Sequence, residues 1–366
     1  MKTFAVILFV LLLLVDFAYG QTIKPLRIGI HGLTHTHVHG LLGRKPAADV
    51  VVVGIAEPNR ALAERYARQY GFDLKLVYPT LEEMVAKTKP EAVAAFNAIA
   101  EHLATVQYCA PRGIHVMVEK PLAVSVAHAT QMAELTRKHK TLLLTNYETT
   151  WYPSHHRAYA LVNDEVKVGA LRKMVFHHGH KGPIEIGCNA EFLDFLTDSV
   201  RNGGGALPDF GCYGANLATW LLKGQTPVSV SCITQHFKPE LYPQVEDEAT
   251  IIVTYPKTQV IIQASWNWPF ARKDMELYGK TGVILCPDGK SLTIRASERE
   301  PAPAENPAAM PSQIFDPFAY LAGRVHGSIK VSDYDLSELK NNELVVKILE
   351  MAKQSSQSGK VVMWKD

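Results

Sequence analysis

Leu26-Arg27-Ile28-Gly29-Ile30-His31-Gly32-Leu33-Thr34-His35-Thr36-His37-Val38-His39-Gly40 decides how this chain folds. It reads as a buried first strand, a tight turn and then a helix. Dinucleotide-binding domains place a G-x-G-x-x-G loop at that point. The first glycine makes the turn, the second lets backbone approach a pyrophosphate, and the third lets helix pack on strand. Counted from Gly32, the second and third glycine positions hold Thr34 and His37. Either a nucleotide rests on an altered loop, or the site has passed to another use.

The pattern outward from this stretch supports the first element. Short apolar runs at 26–31, 50–56, 92–96, 115–118 and 141–145 alternate with helical segments at 61–70, 81–86, 102–111 and 126–139. Buried strands separated by helices imply a parallel sheet covered on both faces. Ligands of such sheets bind at the carboxyl ends of the strands, where His31, Glu57, Asn97 and Glu119 fall. After residue 146 the pattern changes. A helix at 154–162 precedes alternating runs at 171–180, 228–237, 249–255, 259–268, 275–278 and 283–286, which predict an antiparallel sheet closing over the first domain. A helix over 336–355 ends the chain. The boundaries expected are 1–20, 21–146 and 147–366.

Residues 1–20 have the form of an export signal: Lys2, an apolar stretch from Phe4 to Val15, and a small-x-small site at Ala18-Tyr19-Gly20. The apolar run is shorter than the roughly 20 residues that span a bilayer, so a cleaved signal with no remaining membrane anchor is expected. The mature chain would act in the periplasm or outside the cell, where free NAD is scarce. Five scattered cysteines without a C-x-x-C pair indicate neither a zinc finger nor a disulfide scaffold. The net charge of +2 with interleaved signs argues against a nucleic-acid partner. The stretch Glu300–Pro311 reads as an exposed loop.

Two groups of residues carry chemistry. Glu57 follows the second strand, where a carboxylate accepts hydrogen bonds from a ribose, or starts a helix as a solvated side chain. Glu119-Lys120-Pro121 follows the fifth strand, where a lysine facing a cleft can polarise a substrate hydroxyl or help remove its proton. The surrounding segments Asn97-Ala98-Ile99-Ala100-Glu101-His102 and Arg112 to Ala123 resemble the Gfo/Idh/MocA oxidoreductases, the family of glucose–fructose oxidoreductase and inositol dehydrogenase. So do Gly203-Gly204-Gly205-Ala206-Leu207-Pro208-Asp209-Phe210-Gly211-Cys212-Tyr213, Gln244-Val245-Glu246-Asp247, Glu276 to Gly282 and Ser356 to Lys360.

The resemblance implies an α/β Rossmann domain joined to an α+β domain with an open, mostly antiparallel sheet. It implies NAD or NADP as cofactor and a sugar or cyclitol as substrate. Matching positions make Lys120, Asp209 and Tyr213 the catalytic group, with Lys120 on the reacting hydroxyl and Asp209 orienting it. Tyr213 replaces the family's frequent histidine, and a phenol of pKa about 10 would need Lys120 to lower it. A cis peptide at Pro121 is implied as well. The candidate cofactor contacts are Gly32, Leu33, Thr34, His35, Glu57, Asn97, His102 and Glu119. Self-association into a dimer or tetramer through the open sheet is a further implication.

Histidine is where the chain departs. Seven of its fifteen histidines lie in two clusters, His31, His35, His37, His39 and His177, His178, His180. On a helix His35 and His39 would share a face, so His35, His37 and His39 are candidate ligands for a divalent metal such as zinc. The same loop could instead bind cofactor phosphates through its imidazoles. His178 and His180 alternate onto one side of a strand and, with Trp151, are candidates for holding a sugar. The expected function is an exported oxidoreductase moving a hydride between a carbohydrate and a tightly held nicotinamide. The alternatives are a metal-dependent lyase or hydrolase on oxidised sugar, an NAD-dependent glycosidase, and a non-catalytic carbohydrate-binding protein.

Overall fold

The computed structural model describes residues 24–299, 304–309 and 312–365, so the expected export signal and part of the 300–311 loop lie outside it. Its first sheet is built from β1 (Leu26–His31), β2 (Val50–Ala56), β3 (Val77–Tyr78), β4 (Ala92–Ala95), β5 (His115–Glu119) and β6 (Leu143–Asn146). The order is β3-β2-β1-β4-β5-β6 and every pairing is parallel. The helices α1 (Val38–Leu42), α2 (Arg60–Tyr70), α3 (Leu81–Thr88), α4 (His102–Cys109) and α5 (Val126–His139) connect these strands. Two separate apolar clusters cover the sheet. Leu26, Ile28 and Ile30 pack with Tyr66 and Phe318 in one; Val93 and Val116 pack with Met84 and Met132 in the other. Strand order reverses on either side of β1, which opens a crevice at the carboxyl ends.

The second sheet follows α6 (Pro153–Asn163) and runs β14-β13-β12-β11-β7-β10-β9-β8-β15, where β12 is Val283–Cys286, β13 Leu292–Arg295, β14 Ala304–Glu305 and β15 Val362–Met363. Its central strands are β7 (Leu171–Gly179), β10 (Gln259–Ser265), β9 (Glu248–Thr254), β8 (Ser229–Gln235) and β11 (Arg272–Gly279). β7 and β10 pair in parallel, and the remaining pairings are antiparallel. One face is covered by α8 (Ala206–Leu221), buried along its whole length, and by α10 (Leu339–Ser358). A short helix α7 (Ala190–Leu196) reaches back over the first domain, and α9 (Pro317–Val325) packs its Phe318 and Tyr320 there. The opposite sheet face is open and carries Ile233 at 71% exposure. Among the described residues no helix is long and apolar enough to cross a membrane. All five cysteines are free, and all but Cys188 are buried.

One expected element is different. The helix after the first turn begins only at Val38 and has five residues, so His35 precedes it. His35 and His39 therefore do not share a helical face. His39 turns to Tyr70, whose hydroxyl lies 2.8 Å from its Nδ1, and to Tyr66.

Candidate active site

The glycine run before α8 is an anchoring device. A Cβ on Gly205 would meet the Glu246 carbonyl oxygen at 1.9 Å, so only glycine permits that approach. The Ala206 N–H donates to that carbonyl at 2.9 Å. The Gly205 and Leu207 N–H groups donate to the Glu246 carboxylate at 2.8 and 3.1 Å, satisfying the first turn of α8. Asp209 is thereby fixed one turn into a rigid helix.

Asp209 meets Lys120, which is carried at the end of β5 beside the cis Lys120–Pro121 peptide. The Lys120 ammonium donates to one carboxylate oxygen of Asp209 and, at 3.1 Å, to its backbone carbonyl. The other carboxylate oxygen accepts from Trp266 Nε1 at 2.9 Å. Lys120 and Asp209 are only 5% and 4% exposed. Burial alone would favour neutral forms. The Coulombic attraction of the pair outweighs it, leaving the ammonium raised and the carboxyl lowered from their ordinary values.

Tyr213, one turn beyond Asp209, lies beneath two ammonium groups, with Lys120 Nζ 5.2 Å and Lys273 Nζ 5.3 Å from its ring centre. Its phenol is held well above the usual range by burial first and by the Glu148 carboxylate second. The expectation that Lys120 lowers it is thus overturned: the charge of Lys120 is spent on Asp209. Tyr213 is suited to donate a hydrogen bond rather than to act as a base. Lys273 on β11 is ion-paired with Glu148, which also accepts from the Tyr152 hydroxyl. Sequence marks Trp266 only as part of an aromatic run suited to the core or a domain contact, and it does not mark Lys273 or Glu148. They lie far apart in the chain, and the alternating Trp266 and Trp268 were the one available signal.

His178 and His180 both face α8. The His178 ring stands edge-on to Tyr213 at 5.8 Å, and His180 edge-on to Phe210 at 4.9 Å. His178 is fully buried with both ring nitrogens unpartnered, and burial holds its pKa at about 3. His180 is half-buried and accepts from the Gly182 N–H, which places it as the more accessible wall of the cleft.

On the first-domain side, Gly32 has a φ of +80°, and a Cβ there would meet the Asn97 Cβ at 2.9 Å. Glu57 accepts from the Leu33 and Asn59 N–H groups, each at 2.8 Å, so its carboxylate organises the turn. Burial raises its pKa. Thr34 donates through its hydroxyl to the Phe96 carbonyl, which also takes the His35 N–H. A cavity of about 220 Å³ opens beside Glu57, lined by His31, Ala56, Pro58, Pro79, Thr80 and Leu81 at the ends of β1 to β3. The buried Asn97 Oδ1 is an orphan acceptor. A cleft at the strand ends, a buried carboxylate and an unsatisfied amide fit the adenosine half of a dinucleotide. Residues 33–37 would face its pyrophosphate.

Two expected contacts are corrected. His102 is fully buried and bonds the Leu122 carbonyl through Nδ1 at 3.1 Å. It ties down the segment after Pro121 and does not open to the cleft. Trp151 packs edge-on to Tyr320 in the first-domain core and donates to Asn146 Oδ1 at 3.0 Å. Asn146 in turn donates to Glu119 Oε1 at 2.9 Å. Trp151 therefore braces Glu119 and offers no face to a sugar. The remaining oxygen of Glu119 meets His37 Nδ1 at 2.7 Å, and the rings of His35 and His37 are 4.6 Å apart.

Comparison with known proteins gives the frame for this geometry. The oxidoreductase family model with an NAD-binding Rossmann fold matches residues 26–147, and the GFO/IDH/MocA C-terminal domain matches residues 156–285. The trans-1,2-dihydrobenzene-1,2-diol dehydrogenase of Macaca fuscata fuscata is 25% identical over 230 residues, covering 62% of this chain and 63% of that protein. The match thus spans less than two thirds of that relative's length. Two solved structures share the fold. Aldose-aldose oxidoreductase from Caulobacter crescentus, complexed with glycerol, superposes with a TM-score of 0.77 at 20% identity, covering 93% of this chain and 100% of that one. Levoglucosan dehydrogenase, complexed with NADH and levoglucosan, gives 0.78 at 17% identity, covering 94% and 100%.

Proposed function

The chain belongs to the Gfo/Idh/MocA oxidoreductase family, and on that premise we propose that it exchanges a hydride between a secondary alcohol of a sugar-like polyol and NAD. The observation that carries this reading is the buried Lys120–Asp209 pair, which joins the two domains and is held against Tyr213. Nicotinamide, when bound, supplies the site that takes or gives the hydride. The chain's own residues handle the proton and the oxygen. Asp209 keeps the Lys120 ammonium charged and aimed. Lys120 and the Tyr213 hydroxyl donate to the substrate oxygen, a two-donor arrangement that stabilises negative charge developing there. In reduction Lys120 passes a proton to that oxygen. In oxidation the same path runs backwards, with Lys120 entering as the amine after losing a proton to solvent and taking the substrate proton. His180 and Lys273 offer polar contacts for further hydroxyls. Glu57 favours the free ribose hydroxyl of NAD over the phosphate of NADP, which its carboxylate would repel.

Three finer points belong to the same proposal. The form of residues 1–20 supports export, and the scarcity of NAD outside the cytoplasm then favours a cofactor retained through the cycle. The exposed apolar side chains Ile233 and Phe237 on or beside the open sheet support a homo-oligomer formed through that face. The levoglucosan bound in one solved relative and the aldose in the name of the other support a carbohydrate substrate. The test is to titrate the protein with NAD and then follow nicotinamide reduction on a panel of aldoses, anhydrosugars and cyclitols, with Lys120→Ala as control. Turnover that vanishes in the variant while NAD binding persists is expected. Absence of NAD binding at millimolar concentration, in the range of ordinary KM values, rejects the reading.

A further inference from the structure

Among the described residues, two groups of three potential ligand side chains converge closely enough to share a cation. The first, His177, Asp274 and Glu276, lies on β7 and β11. Arg272 already forks Asp274 with bonds of 2.8 Å to both oxygens, so a cation there would face a guanidinium. The second, His35, His37 and Glu119, faces no guanidinium; its one internal competitor is the His37 N–H, which donates to His35 Nδ1 at 3.2 Å.

One nitrogen of each imidazole and one Glu119 oxygen lie within 4.8 Å of one another. Two of the three donors are held from behind. Phe192 and Phe195 of α7 flank the His35 ring at 4.9 and 6.0 Å. Asn146, itself held by Trp151, takes Glu119 Oε1, which leaves Oε2 turned to the histidines. This is the outer shell that orients metal-ligating carboxylates. His37 is the exposed member, with 32% of its side chain accessible, and it marks the open side. Two imidazoles and one carboxylate, with open positions, are the ligand set of many metal sites that act on substrates.

We propose that His35, His37 and Glu119 hold one divalent transition metal, zinc or an ion of similar preference, with its open positions facing the Lys120 cleft. Ligands bonded at about 2.1 Å to a tetrahedral ion stand roughly 3.4 Å apart, so a small closing movement completes the site. The hydrogen bond between His37 Nδ1 and Glu119 Oε2 gives way as both atoms turn to the ion, and the neutral imidazole carries its proton on Nε2 instead. The ion would then stand ready to polarise a carbonyl or hydroxyl oxygen of the molecule bound beside Lys120. His39, which helical spacing would have chosen, takes no part because it faces Tyr66 and Tyr70.

This inference goes beyond hydride transfer and is tested without nucleotide, so either reading can fail while the other stands. The full-length protein is stripped with chelator and titrated calorimetrically with Zn²⁺, then with Co²⁺ while its visible spectrum is recorded. One equivalent and an intense four- or five-coordinate Co²⁺ spectrum are expected. Asn146→Ala should weaken binding about 10–100-fold, as outer-shell changes do, and His37→Gln or Glu119→Gln by more than that. His39→Gln should bind like the parent. Each variant's melting temperature is measured alongside, and the surface-accessible His37→Gln decides if a buried change disrupts folding. Failure to bind zinc below millimolar, or parent-like binding by folded His37→Gln, overturns the proposal. Equal weakening by His39→Gln overturns the ligand set.

Discussion

The Lys120–Asp209 pair is open to a quantitative test that does not depend on knowing the substrate. Both side chains are at most 5% exposed, and Asp209 has a second donor in Trp266 Nε1 at 2.9 Å. Asp209→Asn keeps an oxygen for Trp266 but strands a buried ammonium. Lys120→Met keeps the volume but strands a buried carboxylate. Breaking one side of a buried pair costs about 3–5 kcal/mol because a charge remains without compensation. The double variant removes both charges and leaves only an imperfectly bonded amide, at about 2 kcal/mol or less. The smallest coupling consistent with these figures is about 3 + 3 − 2 = 4 kcal/mol. At about 2–4 °C per kcal/mol, each single change should lower the melting temperature by roughly 6–20 °C and the double by no more than about 8 °C. Circular dichroism melts of the four proteins at neutral pH measure this cycle. If the losses of the single variants simply add in the double, the two groups are not a buried pair and the cleft has been misread.

Other consequences follow from single residues. Gly32→Ala forces a side chain into φ +80° against Asn97 and should cost about 1–3 kcal/mol together with most NAD affinity; unchanged melting and unchanged calorimetric binding would count against the turn. Tyr213→Phe removes a donor whose phenol stays protonated, so kcat on a reactive polyol should fall about 10²–10³-fold with the melting temperature retained. Trp151→Phe deletes the donor to Asn146 and should cost about 1–2 kcal/mol without changing substrate KM; a large KM effect would return Trp151 to the sugar site. The buried imidazoles of His155 and His178 are each held at about 3, below the roughly 6.5 of an unfolded chain. The unfolded state therefore binds more protons below 6.5. Stability is full above that pH and declines as pH falls toward 3, by about 2 kcal/mol per residue at pH 5. His178→Leu should flatten the fall of melting temperature between pH 6.5 and 4, and a parent curve already flat there would sink the argument.

The sequence made the first domain legible for a physical reason. Parallel strands buried on both faces must be continuous apolar runs, and β1 and β2 begin and end where those runs do. β3 has two residues and leaves no periodic trace. Helix α8 is illegible locally because Pro208, Gly211 and Gly214 read as helix breakers, and only burial on every side holds the segment helical. The Lys273–Glu148 pair joins residues 125 positions apart and exists only once β11 lies beside β7 and the segment after β6. No local pattern encodes it.

The histidines show how spacing misleads and what replaces it. Four-residue spacing joins His35 to His39 only if the helix has begun, and here it begins only at Val38. The intervening turn instead throws His35 and His37 together and delivers them to Glu119, 82 residues further along from His37. Glu119 is the neighbour of Lys120, and Lys120 is the neighbour in space of Asp209 and Tyr213. Lys120 therefore lies within Coulombic reach of both histidine clusters, of His35 in the first domain and of His180 in the second. A residue pattern that looks like a single metal-binding tract is divided by the fold into two walls of one cleft. Chemistry there depends on Lys120 being held between them, and the buried bond to Asp209 is what holds it.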